Sequence, residues 1–247
     1  MRIDLMTLFP QMCEAVMNES IIGRAVKSGI LEVNCHNIRD YTTNRQRQVD
    51  DYPYGGGTGM IMQVQPIFDC FEEVVRQCGV RPHFIYMSPQ GAVFRQCDAL
   101  RLSQMPMVTI LCGHYEGVDE RTIEMLADEE LSAGDFVLTG GELPALMVAD
   151  AVARLVPGVL AGEESWRDES IASGLLEYPQ YSRPAEFMGR AVPEVLLSGH
   201  HANIVAWRRH KALERTLRRR PDLLETAELT QQDRDYLESL KSGGGDC

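Results

Sequence analysis

What this 247-residue chain lacks narrows its class before anything it contains. No apolar run approaches the ~20 residues that a membrane-crossing helix needs. The opening MRIDLMTLFP has no signal-peptide apolar stretch, so neither a membrane protein nor a secreted one is expected. Seven cysteines (13, 35, 70, 78, 97, 112 and 247) are scattered without a CxxC pair. An odd, dispersed set reads as reduced thiols in a cytoplasmic protein, not as a disulfide frame or a zinc site. Lysine is scarce, at three of the 24 basic residues, and 36 acids bring the net charge to −12. That balance argues against a general nucleic-acid coat protein. Arginine's planar fork suits phosphates and base edges, so its dominance favours RNA contact, although a genome that simply encodes arginine gives the same bias.

A hydrophobic share of 44% is enough for a substantial core, in one large domain or a large and a small one. Strand-like runs at 3–8, 31–35, 83–87, 107–112 and 135–138 alternate with helical patterns at 21–27, 66–75, 92–103, 119–128 and 142–155. This alternation predicts an α/β fold with a mostly parallel sheet flanked by helices. The texture changes after Pro157-Gly158. Residues 161–183 (AGEESWRDESIASGLLEYPQYSR) have little periodicity and read as a long linker or lid. Helical patterns follow from Ile204 and over Leu223 to Leu240, and the glycines at 243–245 predict a frayed tail. The expected organisation is therefore 1–160, a linker at 161–180, and a small helical domain at 181–247.

Three strand-then-glycine turns lie within about 60 residues. FIYM leads into Ser88-Pro89-Gln90-Gly91, VTIL into Cys112-Gly113-His114-Tyr115-Glu116-Gly117, and Phe136-Val137-Leu138 into Thr139-Gly140-Gly141. Glycine between a strand end and a helix start lets backbone N–H groups approach a ligand. Three such turns at one edge of a parallel sheet favour a nucleotide-like ligand. The run Asp50 to Met60 holds Gly55, Gly56, Gly57 and Gly59 but lacks the Gly-Lys-Ser/Thr ending of a P-loop, so it is either a substrate loop or a tight turn. His114 and Glu116, or His200-His201, have no further ligands at metal spacing, and no metal site is expected. Arg208, Lys211, Arg215 and Arg218 recur on one helix face beside Trp207, while Ala206, His210, Leu213 and Leu217 form the face expected to pack. A basic face inside an acidic protein suggests phosphate tracking, against the ordinary alternative of a solvated surface. Asp168 in an acidic linker and Arg154 near a helix end carry no special signal by themselves.

With YGGGTGM, SPQG, LCGHYEGVDER, GDFVLTGGELP and LEYPQYSRP in this order, the chain closely resembles the bacterial tRNA (guanine(37)-N1)-methyltransferases, of the SPOUT class. The resemblance runs from Met1 to about Leu240 and implies a deep trefoil knot in the sheet domain. It also implies S-adenosyl-L-methionine bound by Tyr86, Met87, Ser88, Pro89, Gly91, Gly113 and Glu116, and by the run Ser132, Ala133, Gly134, Asp135, Phe136, Val137, Leu138, Gly140 and Gly141. It makes Asp168 a general base with Arg154 as its cationic partner, in sites assembled across a homodimer. Residues expected to meet the tRNA, which carries guanosine at position 37, are Gly55, Gly56, Gly57, Gly59, Trp207, Arg208, Lys211 and Arg215. One departure stands out: Gln46 occupies a place where many relatives have histidine, on the substrate side. Two other readings stay open: a ribose 2′-O-methyltransferase of the same class, and a non-catalytic RNA-binding protein whose pocket holds a metabolite.

Overall fold

The computed structural model describes residues 1–162, 166 and 169–242. The chain divides into two compact units, Met1–Gly162 and Glu163–Cys247.

In the first unit, β1 (Arg2–Thr7) is followed by α1 (Pro10–Met17), α2 (Ser20–Lys27) and β2 (Glu32–Asn37). A two-residue hairpin, β3 (Asp50–Asp51) and β4 (Ile61–Met62), encloses the glycine-rich run. Then come α3 (Val64–Cys78), β5 (His83–Val93), α4 (Gln96–Ser103), β6 (Met107–Leu111), α5 (Glu120–Leu126), β7 (Glu129–Ser132) and α6 (Glu142–Ala153). The five main strands form one sheet in the order β2-β1-β6-β5-β7, and every pairing is parallel. Strands covered on both faces must be apolar nearly throughout, and Ile3, Leu5, Met6, Val108, Ile110 and Leu111 are all buried. Asp4 is the buried charge on β1. Burial alone drives a carboxyl pKa up, but hydrogen bonds from His36 and Arg2 outweigh it and hold Asp4 below its ordinary value. On one face α3 seals the core, with Phe71 edge-on to Phe84 at 4.7 Å, and stops at Gly79 in the left-handed region.

Two sequence expectations need correction here. The apolar triplet Phe136-Val137-Leu138 is not a strand. Pairing ends at Ser132, Gly134 turns the chain at φ 144°, and the triplet is an exposed loop, with Val137 at 82% exposure. Its hydrophobicity therefore reports a surface waiting for a partner or ligand, not a place in the sheet. The second is an omission. Helix α1 leaves little signal in the sequence because it is only eight residues long and begins at a proline, which is well placed in the first turn.

The second unit contains a small hairpin, β8 (Glu186–Phe187) with β9 (Arg190–Ala191), then α7 (Glu194–Leu197), α8 (His201–Arg219) and α9 (Gln231–Ser242). The helical stretch expected over 223–240 is in fact broken. A 3-10 turn over Pro221–Glu225 precedes α9, because Pro221 cannot continue α8. The packing face of α8 is met in part. Leu213 and Leu217 lie in the core as expected, with Ala212, Leu175 and Leu237, and Thr216 is buried too, whereas Ala206 is exposed and His210 stacks on Tyr236 from the surface. The Thr216 hydroxyl donates to the Ala212 carbonyl and accepts from the Leu176 N–H, which ties the incoming chain to the helix.

Candidate active site

Three loops meet at the carboxyl ends of β5, β6 and β7 and enclose a cavity of about 370 Å³. From β5 the walls are Tyr86, Met87, Ser88 and Pro89; from β6, Gly113 to Gly117; and from the chain after β7, Ser132, Ala133 and Phe136 to Gly141. Of the sixteen residues that the resemblance assigns to the methyl donor, all but Gly91, Gly134 and Asp135 line this space. Gly91 instead lies against the backbone of Glu130, where a Cβ would come within 2.5 Å. The β5 strand continues through the Ser88–Gly91 turn, with a register shift against β7 between Met87 and Ala92.

Steric exclusion explains the glycines of the pocket wall. A Cβ on Gly141 would lie 2.7 Å from the Gly113 nitrogen and 2.9 Å from the Cys112 Cα. The Gly141 N–H donates to the Gly113 carbonyl at 2.7 Å, so two loops touch backbone to backbone. A Cβ on Gly113 would press on the Tyr86 ring at 2.9 Å, and one on Gly140 would meet Glu142 Oε2 and His114 Nδ1, both at 2.5 Å. Tyr86 itself is buried, and that burial, with Glu130 and Glu120 nearby, pushes its pKa up to about 12. Its phenol remains a neutral hydrogen-bonding group throughout the physiological range.

Behind this wall lies a buried polar cluster that sequence reasoning does not find. Glu142, the first residue of α6, is almost fully buried and accepts a hydrogen bond from the Thr7 hydroxyl at 2.9 Å. Its other oxygen lies 3.9 Å from Nδ1 of His114, a buried atom without a hydrogen-bond partner among the described residues. Phe9 packs edge-on to the same imidazole. The only available signal is the run Gly141-Glu142 at a helix start, which is common on protein surfaces.

The glycine-rich hairpin is stitched to the rim of this cavity. Glu116 N–H donates to the Met60 carbonyl, Met62 N–H to Gly117, and Asp119 N–H to Met62. Gly55, Gly56, Gly57 and Gly59 all have positive φ, and a Cβ on Gly59 would strike the Glu116 side chain at 2.4 Å. Tyr54 at its tip is fully exposed. The loop is therefore held at its base and open at its tip. Gln46 is an exposed residue in the chain leading to β3.

The other expected residues belong to other elements. Arg154 caps the far end of α6, about 18 Å along the axis from Glu142 at 1.5 Å per residue. Asp168 lies outside the described residues, as do Glu163 and Glu164. On α8 the basic residues have separate ties. Arg209 pairs with Asp233, Lys211 with Glu214, and Arg215 donates to the Glu177 carbonyl, while Arg208 lies over the Tyr178 ring at 4.9 Å. Trp207 is partly buried beside Tyr181.

A cavity walled by glycine-edged loops at the carboxyl ends of a parallel sheet defines an α/β enzyme with a nucleoside-sized ligand. Comparison with known proteins carries this to a family. The sequence model described as tRNA (Guanine-1)-methyltransferase TrmD matches residues 1–226. The tRNA (guanine-N(1)-)-methyltransferase of Lachnospira eligens is 56% identical over 91% of this chain and 95% of its own length. Those of Moorella thermoacetica and Alkaliphilus oremlandii are 53% and 51% identical, over 100% and 98% of this chain and 99% of each relative. The chain belongs to the TrmD family, whose activity is methylation of a tRNA guanine at N1 with S-adenosyl-L-methionine as donor. Among the described residues, no helix is long and apolar enough to cross a membrane.

Proposed function

We propose that this chain methylates N1 of guanosine 37 in tRNA, in the cytoplasm, with the donor bound in the cavity between the β5, β6 and β7 loops. The observation that carries this reading is the steric fit of Gly113, Gly140 and Gly141, whose missing side chains leave the wall to the backbone. Bound there, S-adenosyl-L-methionine supplies an electrophilic methyl group on a sulfonium. The protein must supply the rest. N1 of a neutral guanine carries a proton, so a base has to remove it as N1 attacks, and Asp168 is assigned that role. Negative charge then accumulates on the guanine O6, where Arg154 stabilises it. The poorly periodic segment 161–180 acts as a lid that brings Asp168 to the base once RNA docks. On this reading residues 1–160 hold the donor, 181–247 grip the tRNA, and the hairpin carrying Gly55 to Gly59 meets the target nucleotide.

The enzyme works as a homodimer. Phe9, Met12 and Val16 on and before α1, and Leu143 and Met147 on α6, leave large apolar side chains exposed, and these two helices pack together. Together with the exposed Val137 they form the kind of surface that a second copy covers. Arg154, at the far end of its own α6, then serves the pocket of the other copy. A trefoil knot is part of the same proposal. β7 is the edge strand, yet α6 directly after it packs against α1 and β1, and the connection passes hard against Cys112 and Gly113. That return across the sheet, close beside the chain after β6, supports this reading.

Incubation of the protein with labelled donor and a tRNA transcript, followed by mapping of the product, tests the reaction. Label on N1 of guanosine 37, and none on a transcript with adenosine there, is the expected result. Label on a ribose hydroxyl, or no turnover, contradicts it.

A further inference from the structure

The second unit holds a larger cleft, of about 870 Å³, that the donor chemistry does not use. One wall is the extended segment from Tyr178 to Ala185, and the other is formed by α7 and the first turns of α8. Val192, Leu196 and Ile204 make its floor apolar, and the two charged side chains at its rim, Arg183 and Arg208, are both positive. Among the described residues no carboxylate lines it, in a chain whose net charge is −12.

The rim has a specific construction. Arg208 is set on the Tyr178 ring at 4.9 Å, and the Tyr181 and Trp207 rings lie 6.5 Å apart at 51°. A guanidinium set over one aromatic face can take a second planar group on its other side. Its neighbours on α8 are committed elsewhere, to Asp233, Glu214 and the Glu177 carbonyl. An apolar floor suits a flat heterocycle and disfavours a bare phosphate, whereas arginines at the mouth suit the phosphates that accompany a base.

We propose that this cleft receives one unstacked base of the tRNA, other than the guanine that is methylated. The base stacks against the Tyr178–Arg208 layer and its flanking phosphates meet Arg183. This rests on the reading of the second unit as the RNA-gripping part of the enzyme, and it adds to that reading a site for one nucleotide.

The test uses the full-length protein and tRNA transcripts carrying 2-aminopurine at one anticodon-arm position at a time. One position should change its emission on binding to wild type. Ile204→Trp, which fills the floor, should abolish that change. Tyr178→Ala and Ile204→Trp should each weaken tRNA binding about tenfold with the salt slope unchanged, because stacking releases no counterions. Reversing Lys211, whose partner Glu214 lies outside the cleft, reads the basic helix separately, since it alters the salt slope and leaves the probe signal in place. Loss of one effect without the other thus tells the two readings apart. Circular dichroism and thermal melting, measured alongside, confirm that each variant is folded. If no position responds, or both cleft variants bind tRNA as wild type does, the proposal is overturned. A change in oligomeric state at unchanged tRNA affinity overturns it too, by assigning the cleft to a protein contact.

Discussion

The two cavities of this protein are built from different materials. The wall of the donor cavity is tightest at its glycines, with Gly113, Gly140 and Gly141 packed so closely that a methyl group has no room. The cleft of the second unit is made of side chains, with an arginine on a tyrosine and a floor of branched apolar residues. The glycine wall tolerates little change: a side chain added at Gly141 meets backbone, and one added at Gly113 or Gly140 meets the Tyr86, Glu142 or His114 side chain. A side-chain wall can be trimmed in steps. The first suits a ligand that is always the same molecule, and the second suits a polymer gripped at several points.

The largest effect should come from the tightest approach in the first wall. Gly141→Val is expected to weaken donor binding by about 100-fold or more, since its Cβ meets the Gly113 and Cys112 backbone. Its tRNA affinity should stay near wild type. Calorimetry with the donor and a filter-binding titration with tRNA check the pair, and unchanged donor affinity in a folded variant refutes the wall. Next in size, Asp168→Asn should lower the single-turnover methyl-transfer rate by roughly 100-fold while both ligands still bind. A rate within a few-fold of wild type would exclude Asp168 as the base and turn attention to Glu163, Glu164 and Glu169.

Smaller, graded losses are expected in the second unit. Reversing Arg208, Lys211 and Arg215 together should reduce tRNA affinity and flatten its salt dependence, by about one unit of slope for each phosphate that is no longer neutralised. A slope equal to wild type would make this face a solvated surface. The smallest effect is on stability. Asp233 is buried, and its hydrogen bonds from Arg209, above all, hold its pKa at about 2. A carboxyl lowered from its ordinary ~3.9 stabilises the fold above that pH and loses the contribution as pH falls toward about 2. Asp233→Asn should therefore cost roughly 1–3 kcal/mol at pH 7, and the gap to wild type should close between about pH 4 and pH 2. Denaturant melts at several pH values measure this, and a gap independent of pH would contradict the assignment.

Strands β1, β5 and β6 and helix α3 are legible in the sequence because burial on both faces, or a clear apolar stripe, leaves a pattern in one segment of chain. The glycine turns are legible for the same local reason. Phe136-Val137-Leu138 misleads because a hydrophobic triplet looks alike whether it enters a sheet or faces outward beside a pocket. The buried Glu142 leaves no trace, since its partners Thr7 and His114 lie 135 and 28 residues away. On α8 the helix is evident and its packing face partly so, through Leu213 and Leu217. The rest of that face depends on where α9 lies, since Leu237 on α9 shares the core with Ala212 and Leu213. Asp168 and Arg154 come only from resemblance to a family, because an acid among acids and a cation near a helix end carry no signal of their own.

The central claim is that a donor pocket made of main chain in one copy is completed by a charge from another. Co-expression of differently tagged Gly140→Val and Arg154→Ala chains tests it directly. Position 140 is the better choice here, because the new side chain meets only the ends of the Glu142 and His114 side chains. Each variant alone should be nearly inactive. The mixed dimer should contain one intact site of two, so a statistical mixture should recover about a quarter of wild-type activity. A mixture no more active than the two variants assayed apart would place Arg154 and the donor pocket in the same chain and contradict the account.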